Sequence, residues 1–152
     1  MATKIKEYKD FYLGNATDIW KTLPPIIGIA GPFPVLYTDL DSNEIPKPHP
    51  GDKLWSRLTW DINIAVPTNI KQTTWRVDAS LYMQIFGSTR LNITNSRVEQ
   101  AGLYMQDKLN SLNNPDIMVM AGYYSRRNQD GGYYGGLVTM NYIWYERRSK
   151  NE

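Results

Sequence analysis

Few side chains in this chain are of the kind that perform chemistry. Of 152 residues, 15 are acidic, one is histidine and none is cysteine. Without a thiol, disulfides, thiolate zinc sites and cysteine-nucleophile catalysis are excluded. Asp39, Asp41 and Asn43 reproduce the first half of a calcium loop, in which oxygens at alternate positions surround the ion. The pattern then fails, because the turn position that needs glycine is Glu44 and the bidentate position is Pro50. His49 stands between Pro48 and Pro50 with no second histidine to share a metal. Neither a metal nor a cofactor is expected. Acid–base catalysis needs a histidine or two carboxylates held together. The sequence offers only Asp61 and Asp78 on adjacent strands, where one could carry a raised pKa as in a carboxylate dyad. Arg57 and Arg76 share those strand faces, so ion pairing is the simpler expectation. No catalytic residue is assigned, and the chain is not expected to be an enzyme.

The glycine run Gly131, Gly132, Gly135 and Gly136 lacks the Gly-Lys-Ser/Thr of a phosphate loop, and a strand rather than a helix follows it. A flexible hairpin tip is the better reading. Contact surface, by contrast, is abundant: five Trp and eleven Tyr against three Phe. These residues combine a large apolar body with a polar tip and suit interfaces as well as cores. Tyr123, Tyr124, Tyr133 and Tyr134 flank one turn, and Arg126 and Arg127 are close by. Such a hairpin is either a contact surface or a base-stacking platform. The net charge of +2 argues against nucleic acid as the main partner.

The elements that must position these residues follow from periodicity. Ile5, Tyr8 and Tyr12 form one apolar stripe of a helix over 4–13, and Gly14 with Asn15 interrupts it. A second turn or two over 16–23 carries Ile19, Trp20 and Leu23, and Pro24 and Pro25 end it. Residues 24–53 hold seven of the nine prolines and read as an extended arm with one short strand over 34–38. Leu58, Trp60, Ile62, Ile64 and Val66 alternate with polar residues, as do Trp75, Val77, Ala79, Leu81, Met83 and Ile85 over the long strand 73–87. Period-two alternation of this kind predicts an antiparallel pair with one wet face. Ser96 and Glu99 form a capping-box pattern. Val98, Ala101, Met105, Leu109 and Leu112 then predict a helix over about 96–112, closed by Asn113, Asn114 and Pro115. Two strands, 117–127 and 133–147, surround a turn at 128–132. The fold class is α+β: a mostly antiparallel sheet of four to five strands, one main helix and an N-terminal helix, in a single domain over 1–152. Within it, 4–23 is helical, 24–53 is the arm, 54–147 is the core and 148–152 is a frayed tail. The first residues are charged from Lys4 and contain no apolar run, so neither a secretion signal nor a membrane span is expected. Exposure at the turn and arm, together with bulky amphipathic side chains, makes Tyr123, Tyr124, Tyr133, Tyr134, Ile45 and Trp55 the expected subunit contacts.

The order of elements resembles the tail terminator or tail completion proteins of tailed bacteriophages. The resemblance lies in the N-terminal helix, the arm over 34–39, the segment 54–60, the strand ending at 83–87, the helix 98–112 and the closing hairpin. It implies a homo-oligomeric, usually hexameric ring in the virion neck, assembled in the cytoplasm of a host bacterium. One ring face would cap the tail tube protein and the other would meet the head–tail connector protein. DNA would pass through the lumen without sequence-specific binding. Two alternatives remain open: a head–tail connector or neck adaptor ring, and a nucleic-acid-binding module using the Tyr/Arg hairpin.

Overall fold

The computed structural model describes residues 4–23, 28, 33–37, 53–130 and 132–148. Helix α1 (Ile5–Trp20) is followed by strands β1 (Val35–Tyr37), β2 (Leu54–Pro67) and β3 (Thr74–Ser88). A 3-10 turn (Thr89–Leu91) leads to helix α2 (Asn95–Asn110), and strands β4 (Met118–Asp130) and β5 (Tyr133–Arg147) complete the chain. The five strands form one sheet in the order β1-β2-β3-β5-β4, antiparallel except for the parallel pair β1–β2. The α+β class therefore holds. Parallel neighbours need a crossover of about a dozen residues or more, which accounts for the length of chain between β1 and β2. Residues 38–52 lie outside the described residues, and with them Asp39, Asp41, Asn43, Ile45 and His49.

Helix α1 does not break where glycine and asparagine predicted. Its buried face is Tyr8, Tyr12, Ala16 and Trp20, one residue per turn across Gly14. Asn15 Nδ2 donates to the Phe11 carbonyl and Thr17 Oγ1 to that of Leu13, so these polar side chains bond back onto the helix. A helical glycine costs about 1 kcal/mol against alanine. Burying the aromatic stripe, at ~1.5–3 kcal/mol per large side chain, outweighs that. The stripe meets the sheet through stacked rings: Tyr12 lies 3.9 Å from Tyr142, and Tyr8 meets Trp144 edge-on at 4.9 Å. Trp60 stacks on Trp144 at 6.4 Å beneath them. Much of the tryptophan and tyrosine excess is thus core.

Helix α2 covers the same side of the sheet with Val98, Ala101, Gly102, Met105 and Leu109. Its start differs from the expected capping box. Thr94, in extended backbone, accepts from the Arg97 N–H, while Glu99 pairs with Arg126. The helix ends at Asn110, and Leu112 packs on the core from beyond it. The last strand is clasped to α1 by Glu146, which is buried. Its carboxylate accepts from the Lys4 backbone N–H at 2.9 Å, from Trp144 Nε1 at 3.3 Å and from Arg148 Nε at 2.9 Å. Arg148 in turn lies over the Trp75 ring at 4.6 Å.

Candidate functional site

Both helices pack on one side of the sheet, and among the described residues only the sheet's own side chains lie on the other. Which residues reach it is decided by two irregularities. Leu54, Ser56, Leu58, Trp60 and Ile62 of β2 face the helices, as the alternation requires. Beyond Ile62 the register with β3 shifts: Ile62 stands opposite Ala79, but Ile64 stands opposite Asp78. Asn63 is the extra residue of a bulge, and a one-residue slip moves every later side chain to the other face. Ile64 and Val66, expected inside with Trp60, are instead exposed at 49% and 43%. A second shift in β4, between Met120 and Tyr123, places Met118, Met120 and Tyr123 on the same open side.

The rungs of the sheet can be followed across this face. Val66 is opposite Arg76, which is opposite Tyr145. The next rung runs Ile64, Asp78, Ile143, Met118. The next, Asp61, Ser80, Asn141, Met120, is polar at its centre: Asn63 Nδ2 donates to Ser80 Oγ at 2.6 Å, and Ser80 donates to Asn141 Oδ1 at 2.7 Å. Thr59, Tyr82, Thr139 and Tyr123 follow. At the far end Trp55 stacks on Phe86 at 4.2 Å, with Tyr133 edge-on to it at 6.0 Å. Exposed Ile64, Val66, Met118, Met120, Tyr123 and Tyr145 therefore share one face of one sheet.

The six contact residues named from sequence separate. Tyr123 is on the open face and 54% exposed. Trp55 and Tyr133 are on that face but cover each other, leaving Trp55 only 6% exposed. Tyr124 and Tyr134 point to the helix side. Tyr124 fits where α2 has Gly102 and β5 has Gly136, positions at which a Cβ would collide with its ring. Burial raises the Tyr124 pKa, with Glu99 adding to the effect. Ile45 is outside the described residues. The two tyrosine pairs do not face each other either: Tyr123 is opposite Thr139, while Tyr133 is opposite Asp130. Beside the turn, the Gly132 carbonyl accepts from both N–H and Oγ1 of Thr89.

No family model and no curated protein matches this chain. Its chemistry must be argued from the side chains alone. Asp61 is opposite Ser80 and Asp78 is opposite Ile64, so the two carboxylates do not face each other. Asp78 is ion-paired with Arg76 at 2.8 Å, and Arg57 Nε donates to Gln84 Oε1 at 2.7 Å. Among the described residues no three acidic or histidine side chains gather as metal ligands, and no helix is long and apolar enough to cross a membrane.

What sequence reading missed was the apolar open face. A signal for it exists. Residues 117–120 and 142–145 are apolar at consecutive positions, and a strand apolar on both faces is one whose second face is also meant to be covered.

Proposed function

We propose that this chain is a structural subunit that assembles with copies of itself into a ring, and that the ring closes or completes the tail of a tailed bacteriophage. The observation that carries the assembly is the apolar face of the sheet that neither helix covers. Six side chains there, each free of neighbours over about half its surface, amount to roughly 600 Å², taking ~200 Å² for a fully free large side chain. The Arg76–Asp78 ion pair on β3 divides this area. Its β5–β4 part, Met118, Met120, Tyr123 and Tyr145, comes to roughly 400 Å² on the same basis. That lies within the ~300–600 Å² of the largest patch on an ordinary monomer, which commonly marks a contact site. Support for the particular ring comes from the resemblance in element order alone.

In this reading the work is geometrical. Head-to-tail contacts turn each copy by a fixed angle, and the ring closes when that angle divides a full turn. The partners are further copies of the chain, the tail tube protein and the head–tail connector protein, with DNA passing through the lumen. The nucleic-acid-binding alternative has less support, since Tyr124 and Tyr134 pack on the helix side and Arg126 is paired with Glu99. Native mass measurement with negative-stain imaging tests the proposal, with and without tail tubes. Rings of about six copies, seated on tube ends when tubes are present, are expected. A monodisperse monomer under both conditions would refute it.

A further inference from the structure

The β2–β3 hairpin ends in a turn whose apolar side chain no described residue covers. Ile70 is fully exposed, at 101% of its reference area. The turn that carries it is nevertheless rigidly built. Asn69 Oδ1 accepts the backbone N–H groups of Thr73 and Thr74, and Asn69 Nδ2 donates to Thr73 Oγ1. The Gln72 N–H bonds the Asn69 carbonyl, and Thr68 donates both N–H and Oγ1 to the Thr74 carbonyl. Outside the turn, the Arg148 N–H holds the Thr73 carbonyl. A knob fixed in this way loses little conformational entropy on docking.

We infer that Ile70 of one copy inserts into the open sheet face of the next copy, against Met118, Met120 and Tyr145 of β4 and β5, with Ile64 and Val66 of β2 across the Arg76–Asp78 pair. The inference rests on the ring reading above and names the contact that builds it. Three observations on the same chain select a second copy as the occupant. The knob and the apolar side chains of the open face are both uncovered. They are features of one chain that do not cover each other within it, which is the condition for a head-to-tail contact. Their rims also match in charge: Lys71 follows Ile70 on the exposed turn. On the face, the partly buried carboxylate of Asp61, one rung from Ile64 and Asp78, has no partner among the described residues. The β5–β4 part, roughly 400 Å², is about half of the ~800 Å² per partner found in stable interfaces, and Ile64, Val66 and the hairpin flanks supply the remainder. Met118 and Met120, flexible and polarisable, suit the lining of such a socket.

The test uses the full chain in three forms, wild type, Ile70→Asp and Met118→Asp, by analytical ultracentrifugation and negative-stain imaging. Both substitutions are at exposed positions, so far-UV circular dichroism is expected to be unchanged. Each variant alone should associate about 30-fold more weakly or worse, as for a central contact residue. Mixing the two should yield one-to-one dimers and nothing larger, because each pair retains one intact knob and one intact socket. Reversing the rim charges, Asp61→Lys or Lys71→Glu, should weaken assembly singly and restore it when combined. An Ile70→Asp variant that assembles like wild type would overturn the contact and leave the ring reading standing. Open filaments that Ile70→Asp abolishes would support the contact and overturn the ring. Wild-type chain that stays monomeric both with and without tail tubes would overturn both.

Discussion

Tyr12 and Tyr142 stack on one another with both rings fully buried, and neither hydroxyl finds a hydrogen-bond partner among the described residues. Burial pushes the Tyr12 phenol up to about 12 and raises that of Tyr142 further still. In the unfolded chain both ionise near 10. A folded pKa above the unfolded one gives stability that is complete below pH 10 and is lost as pH rises, because the unfolded state releases its protons first. By pH 11 each tyrosine should therefore have removed about 1.4 kcal/mol. Urea denaturation at pH 8, 10 and 11 should show this steep alkaline loss. The Tyr12→Phe/Tyr142→Phe variant should be about 1 kcal/mol per site more stable at pH 8, since an unsatisfied buried hydroxyl is removed. Its stability should also change far less up to pH 11. A variant less stable than wild type at pH 8 would mean that these hydroxyls have partners after all.

At the scale of elements, the outer strand β4 is joined to α2 by more than packing. Asn110 Oδ1 accepts the Gly122 N–H at 2.8 Å while its Nδ2 donates to the Gly122 carbonyl, and Gln106 Oε1 accepts the Tyr124 N–H at 2.8 Å. One turn of helix thereby occupies backbone groups beside the β4 bulge. The Asn110→Ala/Gln106→Ala variant should lose about 2 kcal/mol and gain thioflavin-binding aggregates, because an unpaired edge recruits other strands. Calorimetry and a dye assay check the two effects separately. Long periodic stretches such as β3 and α2 were legible in the sequence, since burial repeated over many residues admits one periodicity. Bulges were not. Asn63 is an ordinary polar residue within an unbroken alternation, and only pairing with β3 decides that it is the one left over. Gly14 misled for the opposite reason: local propensity spoke clearly and the aromatic stripe overrode it. Trp55, expected as an exposed contact at the end of the arm, lies instead on β2, where its cover by Phe86 and Tyr133 depends on neighbours distant in sequence. The parity of Tyr123 and Tyr124 likewise turns on the β4 bulge, for which Gly122 within an otherwise apolar strand was the available signal.

For the whole molecule, β3 is the centre, bonded along its length to β2 on one side and β5 on the other. The β2–β3 pairing is local, whereas β5 joins β3 only after α2 and β4 have been traversed, which makes it the slow contact to form. Native-state hydrogen exchange should find the slowest amides at 77–85 in β3 and 137–144 in β5, opening with the free energy of global unfolding. Those of β1 should exchange through local fluctuations. Equal protection of β1 and β3 would contradict a central β3. The attachment of α2 to the outer strand also bears on how copies of the chain could accumulate. Growth by strand addition has no internal stop, since each arrival recreates the edge it used, and it proceeds with a lag that preformed seeds abolish. With Gly122 and Tyr124 already committed, association should saturate at a countable size as concentration rises, without a lag and indifferent to seeding.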